Sequence, residues 1–98
     1  MRKVRLSNIV LRYLEDLTDY MVDELKISEE AACRRVGRIR EFIVSLSSPA
    51  DYALCRFKKW RELGYRCAVF ERSWVFAYEI FDDGIIVRDM SHAALLAE

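Results

Sequence analysis

The chain has no apolar run approaching the roughly 18 residues that a membrane span needs. Its basic start, "MRKVRL", is followed by neither the apolar core nor the cleavage site of a signal peptide. A cytoplasmic protein with no membrane attachment is expected. There is one histidine, His92, and three cysteines, Cys33, Cys55 and Cys67. The cysteines are odd in number and lack CxxC spacing, so the pattern suggests neither a disulfide framework nor a zinc site. Reduced, mostly buried thiols are expected, with no metal and no cofactor. Internal repeats and low-complexity segments are absent. Net charge is zero, which argues against general affinity for nucleic acid, because such affinity grows with the phosphates neutralised.

What is present is apolar and well patterned. The chain has 98 residues, 53% hydrophobic and 12% aromatic, enough for one core, so 1–98 reads as one domain. The charges lie in blocks. Positive residues crowd positions 2–5, acidic ones dominate 12–30, and Arg34, Arg35, Arg38 and Arg40 form a basic block. A second basic block holds Arg56, Lys58, Lys59, Arg61, Arg66 and Arg72, and the balance turns acidic from Glu79 onward. Local basic stripes of this kind suit an anionic surface or an acidic protein segment.

"KVRL" predicts a strand over Lys3 to Leu6. Ser7 or Asn8 then caps a helix with apolar residues at Val10, Leu14, Leu17, Met21 and Leu25. Ser28 opens a second helix, with Glu29 and Glu30 near the positive end of its dipole and a stripe of Ala32, Val36, Ile39, Ile43 and Leu46. The short "KI" link predicts an antiparallel helical hairpin. Pro49 predicts one or two helical turns, then irregular chain as far as Gly64. "YRCAVF", "WVFAYEIF" and "IIVRDM" predict three strands. The order implies an α+β domain: an N-terminal strand, the helical hairpin, then a three-stranded antiparallel meander, with the hairpin on one face of a mostly antiparallel sheet.

"FDDGII" predicts a type I′ turn at Asp83-Gly84, pairing Glu79 with Arg88 and Ile80 with Val87. Side chains alternate across a strand. Trp74, Phe76, Tyr78, Ile80, Ile85 and Val87 then face the helices, and Val75, Ala77, Glu79, Phe81, Ile86, Arg88, Met90 and His92 face away. A three-residue loop, Asp82 to Gly84, would instead set Tyr78 opposite Arg88. Glu79 with Arg88 reads first as a surface ion pair worth about 0.2–1 kcal/mol. His92 reads first as an exposed or capping residue near a strand end.

With this order of elements and "GYRCAVFERSWVFAYEIFDDGIIVRDMSH", the chain resembles the RelE/ParE superfamily of bacterial toxins, the plasmid-stabilisation type of toxin–antitoxin system. The resemblance rests on Tyr65-Arg66, Ala77 to Ile80, the acidic turn Asp82-Asp83-Gly84, Ile85 to Arg88, and His92. It implies a cytoplasmic toxin held by a cognate antitoxin, with one of two activities. RelE-like members cut mRNA in the ribosome from an open sheet; ParE-like members bind DNA gyrase. Cleavage by a ribose 2′-OH needs a base and cations near one phosphate. The resemblance then implies Arg66, Arg88 and His92 as catalytic residues, with Glu79 a second possible base. Lys58, Lys59, Arg61 and Arg72, with Arg35 and Arg38 on the hairpin, are the candidates for RNA or target binding. Where RelE-like nucleases have an arginine just after the turn, this chain has Trp74-Val75, and "AALLAE" follows His92. The expectation is therefore a ParE-like protein-binding toxin, with a RelE-like endonuclease, or a degenerate member with neither activity, as the alternative. The apolar end "SHAALLAE" and the charge blocks imply a surface covered by an antitoxin or a second copy of the chain.

Overall fold

Ser7 and Ser28 supply the side-chain oxygens that start the two long helices. Ser7 accepts from the Val10 N–H and Ser28 from the Ala31 N–H, each satisfying a donor left free in a first turn. The computed structural model describes residues 1–96; the last two positions of the apolar tail lie outside them. Strand β1 (Lys3–Leu6) leads into helix α1 (Asn8–Asp23), and α2 (Glu29–Ser45) follows. A one-turn helix α3 (Lys58–Arg61) precedes β2 (Arg66–Phe70), β3 (Trp74–Phe81) and β4 (Gly84–His92), and a 3₁₀ turn covers Ala93–Leu95. The expected stripes are the buried ones. Val10, Leu14 and Met21 of α1 and Ala32, Val36, Ile39 and Ile43 of α2, with Leu46 just beyond it, close over Phe76, Tyr78, Ile85, Val87 and Met90. Leu25, past the end of α1, is half exposed.

The sheet runs β1-β4-β3-β2. The last three strands form the expected antiparallel meander, but β1 lies parallel to β4, so the sheet is mixed. This neighbour relocates the turn. Gly84 is not at a positive-φ turn position. It sits where β1 crosses β4 so closely that a Cβ would stand 2.1 Å from the Lys3 carbonyl oxygen. The loop is instead Asp82-Asp83, with Phe81 opposite Gly84, Ile80 opposite Ile85 and Glu79 opposite Ile86. Lys3 and Arg5 reach Asp83 Oδ2 at 3.8 and 3.1 Å. Glu79 therefore does not pair with Arg88 in the ladder, and Tyr78 does not face Arg88 either.

A β-bulge then changes the face assignment. Tyr78 pairs with Val87, but Ala77 pairs with Asp89, leaving Arg88 as the extra residue. One inserted residue reverses every later side chain. Met90 is buried under the helices and His92 lies on their side, both opposite to the expectation. Glu79 and Arg88 still meet on the other face, where Arg88 Nε donates to Glu79 Oε1 at 2.9 Å and Nη2 lies 2.8 Å from the same oxygen in an ion pair.

That other face is not open. The segment 51–65 folds back over it, burying Cys55, Trp60, Val75 and Ala77 together. The helical turn in it falls at Lys58–Arg61 rather than after Pro49, and the turn that follows it contains Gly64 with φ +76°. Leu54 bridges to Arg66 and the Cys55 N–H donates to the Tyr65 carbonyl, bringing Cys55 and Cys67 together as a disulfide. The expectation of reduced, mostly buried thiols is thus wrong. The pair is made by a fold-back that a spacing of 12 residues does not reveal, and the remaining thiol, Cys33, is exposed.

A polar cluster pins the start of this segment. Arg2 Nη2 donates to Asp51 Oδ1 at 2.7 Å, the Tyr78 hydroxyl donates to the same oxygen at 3.1 Å, and the Tyr52 N–H donates to the Tyr78 hydroxyl at 2.9 Å. The Arg2 hydrogen bond holds the Asp51 carboxyl below its ordinary range, and burial pushes the Tyr78 hydroxyl above its own. A depressed carboxyl favours the fold above its unfolded value, near 3.8, and loses that contribution as pH falls through its folded value. A raised tyrosine favours the fold up to pH near 10.0 and loses its contribution above it. Asp51→Asn is expected to lower the thermal midpoint at neutral pH. Melts of both proteins from pH 7 to 2.5 should show that gap closing as pH falls through and below 3.8. A pH-independent gap would contradict the lock.

Candidate binding cleft at Trp74 and His92

The turn before β3 is unusual. Glu71 and Arg72 have φ of 52° and 63°, a region that costs residues with a Cβ about 1–3 kcal/mol each. The turn is held by the Ser73 N–H on the Phe70 carbonyl and by an ion pair from Arg38 of α2 to Glu71. It delivers Trp74 to the sheet directly opposite His92, the rings edge to face at 5.1 Å. Tyr13 of α1 meets the other side of Trp74 at 6.2 Å.

Two hollows flank this pair. One, of about 470 Å³, is largely apolar and lined by Tyr13, Asp16, Leu17, Tyr20, Trp74 and Leu95. The other, of about 390 Å³, is lined by Arg35, Arg38, Ile39, Glu71, Ser73 and Trp74. His92 lines both. Its Nδ1 accepts from the Ala94 N–H at 3.2 Å, the capping role expected for it. That bond occupies Nδ1 and leaves Nε2 as the ring nitrogen not engaged by it. Arg38 is neutralised by Glu71 and Arg34 is paired with Glu30 at 3.6 Å, whereas Arg35 is exposed and has no ionic partner among the described residues.

The cleft therefore unites three of the residues named from the sequence: Arg35, Arg38 and His92. The others lie elsewhere. Arg66 donates to the Tyr52 carbonyl at 2.8 Å and stands opposite Tyr78, four residues along β3 from His92's partner Trp74, or about 13 Å. Arg88 is on the opposite face, paired with Glu79 and lying over the Phe81 ring. Lys58 and Lys59 are on α3, beside Glu62 and over Trp60 respectively, and Arg61 is exposed on the same turn. Arg72 is exposed in the strained turn. Sequence reasoning missed Tyr13, Asp16, Tyr20, Ser73 and Trp74. Tyr13, Leu17 and Tyr20 do recur at helical spacing, a second stripe beside the core stripe of α1.

No protein-family model matches the chain, and no curated protein matches it. Among the described residues, no helix is long and apolar enough to cross a membrane.

Proposed function

We propose that the chain is the toxin of a bacterial toxin–antitoxin pair, ParE-like in acting by binding a protein target such as DNA gyrase and in being neutralised by a cognate antitoxin. One observation carries the choice of binding over cutting. The three residues that mRNA cleavage would gather around one phosphate, Arg66, Arg88 and His92, lie at separate places on two faces of the sheet. Two of them are engaged in holding the fold, Arg66 on the Tyr52 carbonyl and Arg88 on Glu79. The sheet face that a RelE-like site would use is occupied by the 51–65 segment. The element order agrees with the superfamily resemblance. A toxin of this type works in the cytoplasm, where thiols are kept reduced. There the Cys55–Cys67 bond would be open and the segment held by its other contacts.

The endonuclease stays as a second reading for a specific reason: Arg35, Arg38 and His92 line one hollow, an arrangement able to receive a phosphate. Induced expression in a bacterium separates the two. A gyrase binder arrests growth with loss of plasmid supercoiling and intact mRNA, and co-expression of its antitoxin gives a stable complex and restores growth. Arrest with fragmented mRNA and normal supercoiling would replace the first reading by the second. No arrest at all would remove both.

A further inference from the structure

We propose that the cleft is a docking site for an acidic segment of a partner protein. A large apolar side chain enters the slot between Tyr13, Tyr20 and Trp74, and a neighbouring carboxylate lands on Arg35. This rests on the reading of the chain as a protein-binding module, and it says where and by what chemistry the partner is held.

Three features point to that occupant. The slot, about 470 Å³, is in the size range of pockets that enclose small ligands, and Tyr20 remains half exposed at its rim. Aromatic residues line the slot, and Arg35, with no ionic partner among the described residues, lines the adjoining hollow that shares Trp74 and His92 with it. Aromatic and arginine side chains carry most binding energy at protein interfaces. The charges are then graded across the cleft. On the α2 side, Arg34 and Arg38 have acidic partners within the chain while Arg35 has none among the described residues. On the α1 side Asp16 lines the slot itself. A segment with an acid next to its apolar anchor satisfies both ends if the acid lies toward α2. A nucleic acid strand would have to pass its phosphates beside Asp16, which charge repulsion disfavours. The strained Glu71-Arg72 turn holds Trp74 and the Arg38–Glu71 pair in place, so the cleft is formed before any partner arrives.

The test uses the intact chain and three blocked twelve-residue peptides. One has a central leucine with glutamates on one side of it only, one has lysines for the glutamates, and one has serine for the leucine. Tryptophan fluorescence and amide chemical shifts report binding. The glutamate–leucine peptide is expected to bind with a Kd on the order of 100 µM, and the other two at least about tenfold more weakly. Its shifts should fall on Tyr13, Trp74 and His92. Arg35→Glu and Tyr20→Ser, both at exposed positions, should each weaken it about tenfold with thermal midpoints near that of the parent. Equal binding of the lysine peptide, indifference to both substitutions, or no saturable binding below about 1 mM would overturn the proposal. So would a short oligoribonucleotide that binds the cleft in place of the peptide, or concentration-dependent dimerisation that Arg35→Glu abolishes without any peptide binding. The two readings fail separately. Growth arrest with no peptide binding removes the docking site and leaves the toxin; peptide binding with no arrest does the reverse.

Discussion

Gly84→Ala is expected to destabilise the protein by about 3 kcal/mol or more, an overpacking cost at the upper end of the usual range. The Cβ would stand 2.1 Å from the Lys3 carbonyl oxygen and 2.8 Å from its carbonyl carbon and nitrogen, all backbone atoms that no rotamer change moves aside. β1 must then separate from β4, and the Lys3 N–H bond to the Asp83 carbonyl and both ion pairs to Asp83 weaken with it. In a domain of 98 residues each kcal/mol shifts Tm by about 4–8 °C, so the melt should fall by more than about 10 °C. Gly37→Ala is the internal control. Gly37 lies inside α2, and a Cβ there meets nothing within 4 Å, so that change should stabilise by about 0.5–1 kcal/mol. Two glycine-to-alanine changes of opposite sign would test the parallel β1–β4 pairing directly. A Gly84→Ala protein as stable as the parent would mean that β1 does not lie there.

The second large effect is expected from opening the Cys55–Cys67 bond. The bond closes a loop of 12 residues, for which chain entropy gives a contribution of about 3 kcal/mol. The loss should be local as well as global. The segment 51–65 would keep the Trp60 Nε1–H bond to Asp89 and the Tyr52–Tyr78 contact, while Cys55 and Cys67 stop clamping it to the edge of the sheet. Thermal melts with and without reductant, and of Cys55→Ala/Cys67→Ala, should agree and lie below the oxidised parent. Hydrogen exchange should quicken first at Cys55 and Cys67, whose N–H groups donate to Tyr65 and Ala53, and hardly at all in the core under the helices. Identical melts in both redox states would contradict it.

The contrast between these two sites explains what the sequence could reveal. Helix starts at Ser7 and Ser28, the α2 stripe, the α1 stripe as far as Met21 and all three meander strands follow from local pattern and appear as read, whereas Leu25 lies past the end of α1 and is half exposed. The Asp83-Gly84 turn is a sound local signal overridden by a distant strand, since Gly84 is needed for close approach to Lys3 rather than for positive φ. The bulge at Arg88 has no local signature, yet it alone decides that Met90 and His92 turn under the helices. Every later face assignment depended on it. The disulfide and the cleft were illegible for the same reason. Both are made by segments far apart in the chain, Cys55 with Cys67 across a fold-back, and Tyr13, Arg35 and Trp74 across two helices and a strand. The Glu79–Arg88 ion pair was found despite a wrong register, because the bulge leaves Arg88 on the same face as Glu79.

Whether this protein binds or cuts is tested most directly by growth arrest in cells expressing Arg66→Gln/Arg88→Gln, with mRNA integrity followed alongside. Both arginines lie outside the cleft, on the Tyr52 carbonyl and on Glu79, so a binding toxin should lose little: arrest persists, and mRNA is intact in parent and variant alike. A nuclease depending on them would lose on the order of 10²–10³ in rate for each cation removed. Fragmented mRNA in cells expressing the parent, and growth restored by a folded Arg66→Gln/Arg88→Gln protein, would contradict the binding reading.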